Sequence, residues 1–154
     1  MSTPDPTRLL IEAAHLNDRL TAAGDALVAD LGLTSARWQV LGAVVTTGEA
    51  STVSDLARTL GLTRQSVQRV ANDLVKRGLL RLINNPAHAR ARLLDLTPKG
   101  EQAYTEATRR RQPWAETLAV GLNEDDVRTA LRVVKTLNRA LINSASEEPS
   151  AQSD

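Results

Sequence analysis

The chain of 154 residues contains no cysteine. That excludes disulfide stapling, thiolate catalysis and thiol-based redox sensing. It contains no phenylalanine either, and Trp38, Trp114 and Tyr104 are its only aromatic residues. A core must therefore be assembled from Leu, Val, Ile and Ala. Histidine is nearly absent: His15 and His88 stand far apart, and no carboxylate cluster has metal-ligand spacing, so no metal site is expected. No stretch approaches the ~18 consecutive apolar residues of a membrane span. The start, MSTPDPTRLLIEAAHLNDRL, has no apolar run behind a basic head, so no signal peptide is expected and the cytoplasm is the expected location. HExxH, GxSxG and phosphate-loop motifs are all missing. The carboxylate pair Asp125-Asp126 reads as helix-start charge. Neither a catalytic site nor a cofactor is expected.

What is present suffices for a fold. Apolar residues make up 42% of the chain, and the length suits one domain of the usual ~100–200 residues. Net charge is only +1, but its distribution is uneven. From Gly61 to Arg92 there are seven Lys or Arg against one acid, Asp73, while the remainder carries 12 basic and 17 acidic residues. This local basic block is a candidate phosphate-binding surface.

Along the chain, MSTPDP at 1–6 reads as frayed. Leu9, Ala13, Leu16, Leu20, Ala23, Leu27 and Leu31 recur at spacings of four and three, which predicts an amphipathic helix over 7–31 with a narrow apolar seam. Gly32 ends it, and Thr34 or Ser35 caps a second helix over 35–47. TVSD at 52–55 resembles a capping box and opens a short helix over 53–60. Gly61 supplies a turn, Thr63 caps a helix over 64–77, and Gly78 closes it. LLRLINN at 79–85 and ARLLDL at 91–96 read as the strands of a β-hairpin around the loop NPAHAR. Thr97-Pro98 starts a polar helix running toward Val120, with Pro113 inside it as a kink or break. A last helix over 124–144 carries Val127, Leu131, Val134, Leu137 and Leu141 as a second narrow stripe. The tail, 145–154, reads as disordered.

The middle of this order is a winged helix-turn-helix: short helix, glycine turn, second helix, hairpin. Val67, Val70, Ala71 and Leu74 form the face that buries. Gln65, Gln68, Arg69, Asn72 and Lys76 follow i, i+3, i+4, i+7 and i+11, so they share the opposite face. The major groove of B-DNA admits one such helix, Gln and Asn pair with adenine edges, and Arg pairs with guanine. Thr63, Arg64 and Ser66 stand at the helix N-terminus, where backbone amides and the dipole favour phosphate. Arg90 near the hairpin tip, with Arg92 close by, suits a narrow minor groove. Taken singly, each of these residues is ordinary surface or helix-forming material. Their joint placement favours binding of double-stranded DNA. A winged-helix module that meets an acidic protein partner, without specific DNA binding, is the alternative. An enzyme is the weakest reading.

GLTSARWQVLGAV (32–44), VSDLARTLGLTRQSVQRVANDLVKRGLLRL (53–82) and RARLLDLTPKG (90–100) resemble the MarR family of bacterial transcriptional regulators. The resemblance spans about 7–143. It implies a mainly α fold of about six helices plus a two-stranded wing, divided into an N-terminal dimerisation helix (7–31), a winged helix-turn-helix region (33–97) and C-terminal dimerisation helices (98–144). It further implies a homodimer whose two recognition helices reach successive major grooves about 34 Å apart, on a pseudo-palindromic operator. A repressor released by a small aromatic or anionic effector is the expected activity. His15 and Trp38 are the candidate walls of an effector pocket. One departure stands out: the family's wing often has an Asp two residues before its Arg, and here the matching pair is His88 and Arg90, with no fixed anion.

Overall fold

The computed structural model describes residues 5–146. Six α-helices and one antiparallel strand pair follow in the expected order: α1 (Pro6–Val28), α2 (Ser35–Thr47), α3 (Val53–Leu60), α4 (Arg64–Lys76), β1 (Leu80–Ile83), β2 (Leu93–Leu96), α5 (Pro98–Leu118) and α6 (Glu124–Ser146). The chain forms two compact units, divided between Gln112 and Pro113.

In the first unit, the ends of the helices follow their capping residues. Asp5 accepts the Thr7 amide at 2.9 Å and Pro6 occupies the first helical turn, so residues 5 and 6 start a helix instead of fraying. Residues 1–4 of that expectation lie outside the described residues. α1 stops three residues before Leu31, and Ala29–Leu31 tighten into one turn of 3-10 helix before Gly32. Thr34 caps α2 by accepting the Arg37 amide. α4 ends at Lys76, one residue earlier than the sequence predicts, with Arg77 as its C-cap.

The core is aliphatic, as the missing phenylalanine requires. Val28, Leu33, Val40, Leu41, Val44, Leu56, Val67, Ala71, Leu74, Leu79, Leu80 and Leu94 are buried in one cluster, with Trp38 at its margin. The strands are shorter than the hairpin read from the sequence. Leu80 pairs with Leu96, Arg81 with Asp95, Leu82 with Leu94 and Ile83 with Leu93. Ser51 bonds to Leu94 through both backbone groups, at 3.1 and 2.8 Å, and so adds a third strand reduced to a single residue.

α5 passes through Pro113 and continues to Leu118, so of the kink or break expected there, the break does not occur. Proline removes one N–H donor, and the helical bonds on either side carry the helix on. In the second unit, Asn123 accepts the Asp126 amide at 2.8 Å and three acids fill the first turn of α6, where the helix dipole favours them. α6 reaches Ser146, two residues into the segment read as tail; 147–154 lie outside the described residues. Its Leu131 and Val134 are 54% and 52% exposed. The first unit shows the same feature on α1, where Leu9, Leu16 and Leu20 are 47%, 55% and 39% exposed.

Candidate nucleic-acid interface

The recognition segment is held by three local devices. Thr52 accepts the Asp55 amide, and its hydroxyl donates to the Asp55 carboxylate at 2.7 Å, which closes the start of α3. Gly61 turns the chain at φ 64°, a left-handed conformation that a side chain rarely adopts. Its amide and that of Leu62 return to the last carbonyls of α3. Thr63 then caps α4: its Oγ accepts the Ser66 amide at 3.2 Å, while the Ser66 hydroxyl donates to the Thr63 carbonyl at 2.9 Å. The first task of these two hydroxyls is therefore the helix start itself.

Behind α4, Val67, Ala71 and Leu74 are fully buried. In front, Arg64, Gln65, Gln68, Arg69, Asn72 and Lys76 are exposed. The Gln68 amide donates to Asn72 Oδ1 at 2.8 Å, which pre-sets the two groups as a pair. The side chains of Arg64, Gln65, Arg69 and Lys76 have no hydrogen bond or ion pair among the described residues. They are cations and amides left available for another molecule.

Asp73, the one acid of the segment, faces elsewhere. It receives Arg37 Nε from α2 at 2.5 Å and Arg77 Nε at 3.2 Å. Desolvation pushes its carboxyl up, but the hydrogen bonds from Arg37 and Arg77 outweigh this and hold it below its ordinary value. The acid is thereby neutralised by two cations, and α2 is tied to α4. This role of Arg37 is not legible in the sequence, because residues 36 positions apart carry no periodic signal.

The motif LTPKG at 96–100 joins the wing to α5 and holds both to the end of α4. The Thr97 hydroxyl meets the carbonyls of Gly78 and Leu79 at 2.7 and 3.0 Å and accepts the Gly100 amide at 3.0 Å. Lys99 Nζ donates to the Arg77 carbonyl at 3.0 Å, at the C-terminus of α4, where a cation is favoured. A Cβ on Gly100 would lie 2.0 Å from the Leu79 carbonyl oxygen, so only glycine allows the approach. The start of α5 thus clamps the end of α4.

In the wing, Arg81 pairs with Asp95 across the strands at 2.5 Å. Arg92 donates to the Leu82 carbonyl at 3.2 Å, so it is engaged at the base of the loop. Arg90 is exposed without a partner among the described residues, and His88 is exposed beside it. The two expected effector-pocket residues lie apart. His15 is exposed on α1. Trp38 lines a cavity of about 530 Å³ with Ser35, Gln39, Gly42, Tyr104 and Arg111; His15 is not part of its wall. The Arg111 guanidinium stands 5.1 Å from the Trp38 ring centroid, a cation–π distance. Trp38 Nε1 is buried without an acceptor among the described residues. Tyr104 and Arg111 were not legible as wall residues, although Tyr104 is one of only three aromatics in the chain.

A helix-turn-helix with an outward cationic helix and a flanking hairpin defines the winged-helix class of DNA-binding folds. A family model described as "MarR family" matches residues 31–91, and this chain belongs to the MarR family. The uncharacterized protein Rv2011c of Mycobacterium tuberculosis is 45% identical over 103 residues, which cover 67% of this chain and 71% of that protein. The solved MarR family transcription regulator SP03579 is 25% identical, with a TM-score of 0.77 over 92% of this chain and 95% of the other. The transcriptional regulator MOSR of M. tuberculosis, solved in complex with DNA, is similar at 23% identity and TM-score 0.67, covering 90% of this chain and 98% of that one.

Proposed function

We propose that this protein is a cytoplasmic, sequence-specific DNA-binding regulator, a repressor without catalytic activity, that binds a pseudo-palindromic operator as a homodimer. The observation that carries the proposal is the outward face of α4, where Arg64, Gln65, Arg69 and Lys76 stand exposed without partners among the described residues while Asp73, the one acid of 61–92, is neutralised by Arg37 and Arg77. Cations and amides on one helix face supply both the phosphate and the base-edge contacts that groove binding needs. The DNA in the MOSR complex supports the same reading. The exposed Leu9, Leu16 and Leu20 of α1, and the exposed Leu131 and Val134 of α6, support self-association, since apolar stripes of this kind mark interaction sites.

A small aromatic or anionic effector is the proposed release signal. The cavity beside Trp38 suits it: an indole N–H without an acceptor among the described residues, the phenol of Tyr104 and the cation of Arg111 line one space. The test is fluorescence anisotropy on DNA from the region upstream of the protein's own gene, with a scrambled duplex as control, at several salt concentrations. Tight binding to the native fragment, with weaker and salt-sensitive binding to the scramble, is expected. Equal, weak binding to both would reject a specific operator there and favour the protein-interaction alternative.

A further inference from the structure

The wing loop, residues 84–92, joins β1 to β2, and only Asn85 and Ala91 within it are partly buried. Two hydrogen bonds leave the Asn85 side chain. Its Nδ2 donates across the loop to the Ala91 carbonyl at 2.8 Å. Its Oδ1 accepts the Ala87 amide at 3.0 Å, an Asx turn. Pro86 between them has a fixed φ and disfavours the helical conformation at Asn85. Donor meets acceptor at each end, and no other orientation of the amide satisfies both.

Arg90 sits inside the turn that this amide closes. The Ala91 amide donates to the His88 carbonyl at 3.2 Å, so residues 88–91 form a four-residue turn with Arg90 at its third position. One end of the turn is held by that backbone bond. The other end, the Ala91 carbonyl, is held by Asn85. Arg90 itself has no partner among the described residues, and His88 supplies no fixed anion to restrain it. We infer that Asn85 is the positioning residue of the wing: it fixes the turn that aims the Arg90 guanidinium at the DNA minor groove. The inference rests on the DNA-binding reading above. Without Asn85 the loop must be ordered at the moment of binding, and the entropy of that ordering opposes the Arg90 contact.

The test measures the salt dependence of binding to a mixed-sequence duplex by the full-length protein, which needs no knowledge of the operator. Arg90→Ala removes one cation from the DNA contact, so the slope of log K against log salt is expected to fall by about 1. Asn85→Ala is expected to produce most of the same fall, and the double variant no more than Arg90→Ala alone. Arg64→Ala, on α4, is the additive control. Thermal melting of each variant checks the fold, and little change is expected for this exposed loop. If the wild type binds the duplex but Asn85→Ala leaves the slope unchanged, or adds fully to Arg90→Ala, the inference fails and the DNA-binding reading stands. If the wild type binds no duplex at any salt concentration, both fail.

Discussion

At the scale of single residues, the outward side chains of α4 divide by what each meets inside the protein. Arg69 and Gln65 make no hydrogen bond or ion pair among the described residues and stand on the face suited to base edges. Arg69→Ala and Gln65→Ala are each expected to cost ~1–3 kcal/mol and to relax preference at one half-site position. Arg64, in the first turn of α4, suits a phosphate instead. Arg64→Ala is expected to weaken binding uniformly across sequences and to lower the salt slope by about 1. Anisotropy titrations against a set of single-base operator variants separate the two behaviours. Gly100 tests the structural side of the same surface. A methyl there would meet the Leu79 carbonyl oxygen, and overpacking of this kind costs about 1–3 kcal/mol. Gly100→Ala is therefore expected to lower the denaturation midpoint and, by moving the Thr97 and Lys99 clamp, to weaken DNA binding as well.

At the scale of elements, the helix boundaries were largely legible because each one is written in capping residues. Thr34, Thr52 and Thr63 cap as their spacing implies, and Gly32, Gly48, Gly61, Gly78 and Gly121 all turn with positive φ. The less legible features depend on residues distant in sequence. Ser51 pairs with Leu94, Arg37 with Asp73, and Arg110 with Asp30, across 43, 36 and 80 positions, and no local pattern encodes them. Pro113 shows the opposite failure: a strong local signal for a break, overridden by the helix on either side. The Arg110 contacts give a test at this scale. Arg110 donates to Asp30 and to the Leu27 carbonyl, and both it and Arg109 donate to Glu106, which ties α5 to the end of α1. Hydrogen bonds from Arg109 and then Arg110 lower the Glu106 carboxyl from 4.5 to about 2. A folded value below the ordinary one means the stabilisation is complete above pH 4.5 and is lost as the pH falls toward 2. Thermal melts of the wild type are expected to fall across that interval. Glu106→Gln is expected to melt lower than the wild type at pH 7, with the difference shrinking as the pH drops toward 2.

At the scale of the whole molecule, the outer helices carry more apolar surface than a lone chain has use for. Leu131 and Val134 on α6 are about half exposed, so a charge placed there keeps its contact with water. Leu131→Glu is accordingly expected to leave the melting transition of the single chain intact while shifting the mass measured by light scattering from two chains to one. The consequence for DNA follows from geometry. Two recognition helices fixed in one dimer reach major grooves on the same side of the duplex, about 10–10.5 bp apart. Inserting about 5 bp between half-sites rotates the second site by half a turn and takes it away from its helix. The wild type is expected to lose most of its operator affinity on that insertion. Leu131→Glu is expected to bind both spacings equally and weakly, because a single chain reads one half-site and has no partner whose position the spacing can disturb. Equal affinity of the wild type for both spacings, with two chains still present by light scattering, would mean that the dimer does not set the distance between the recognition helices, and the exposed stripes of α1 and α6 would need a different occupant.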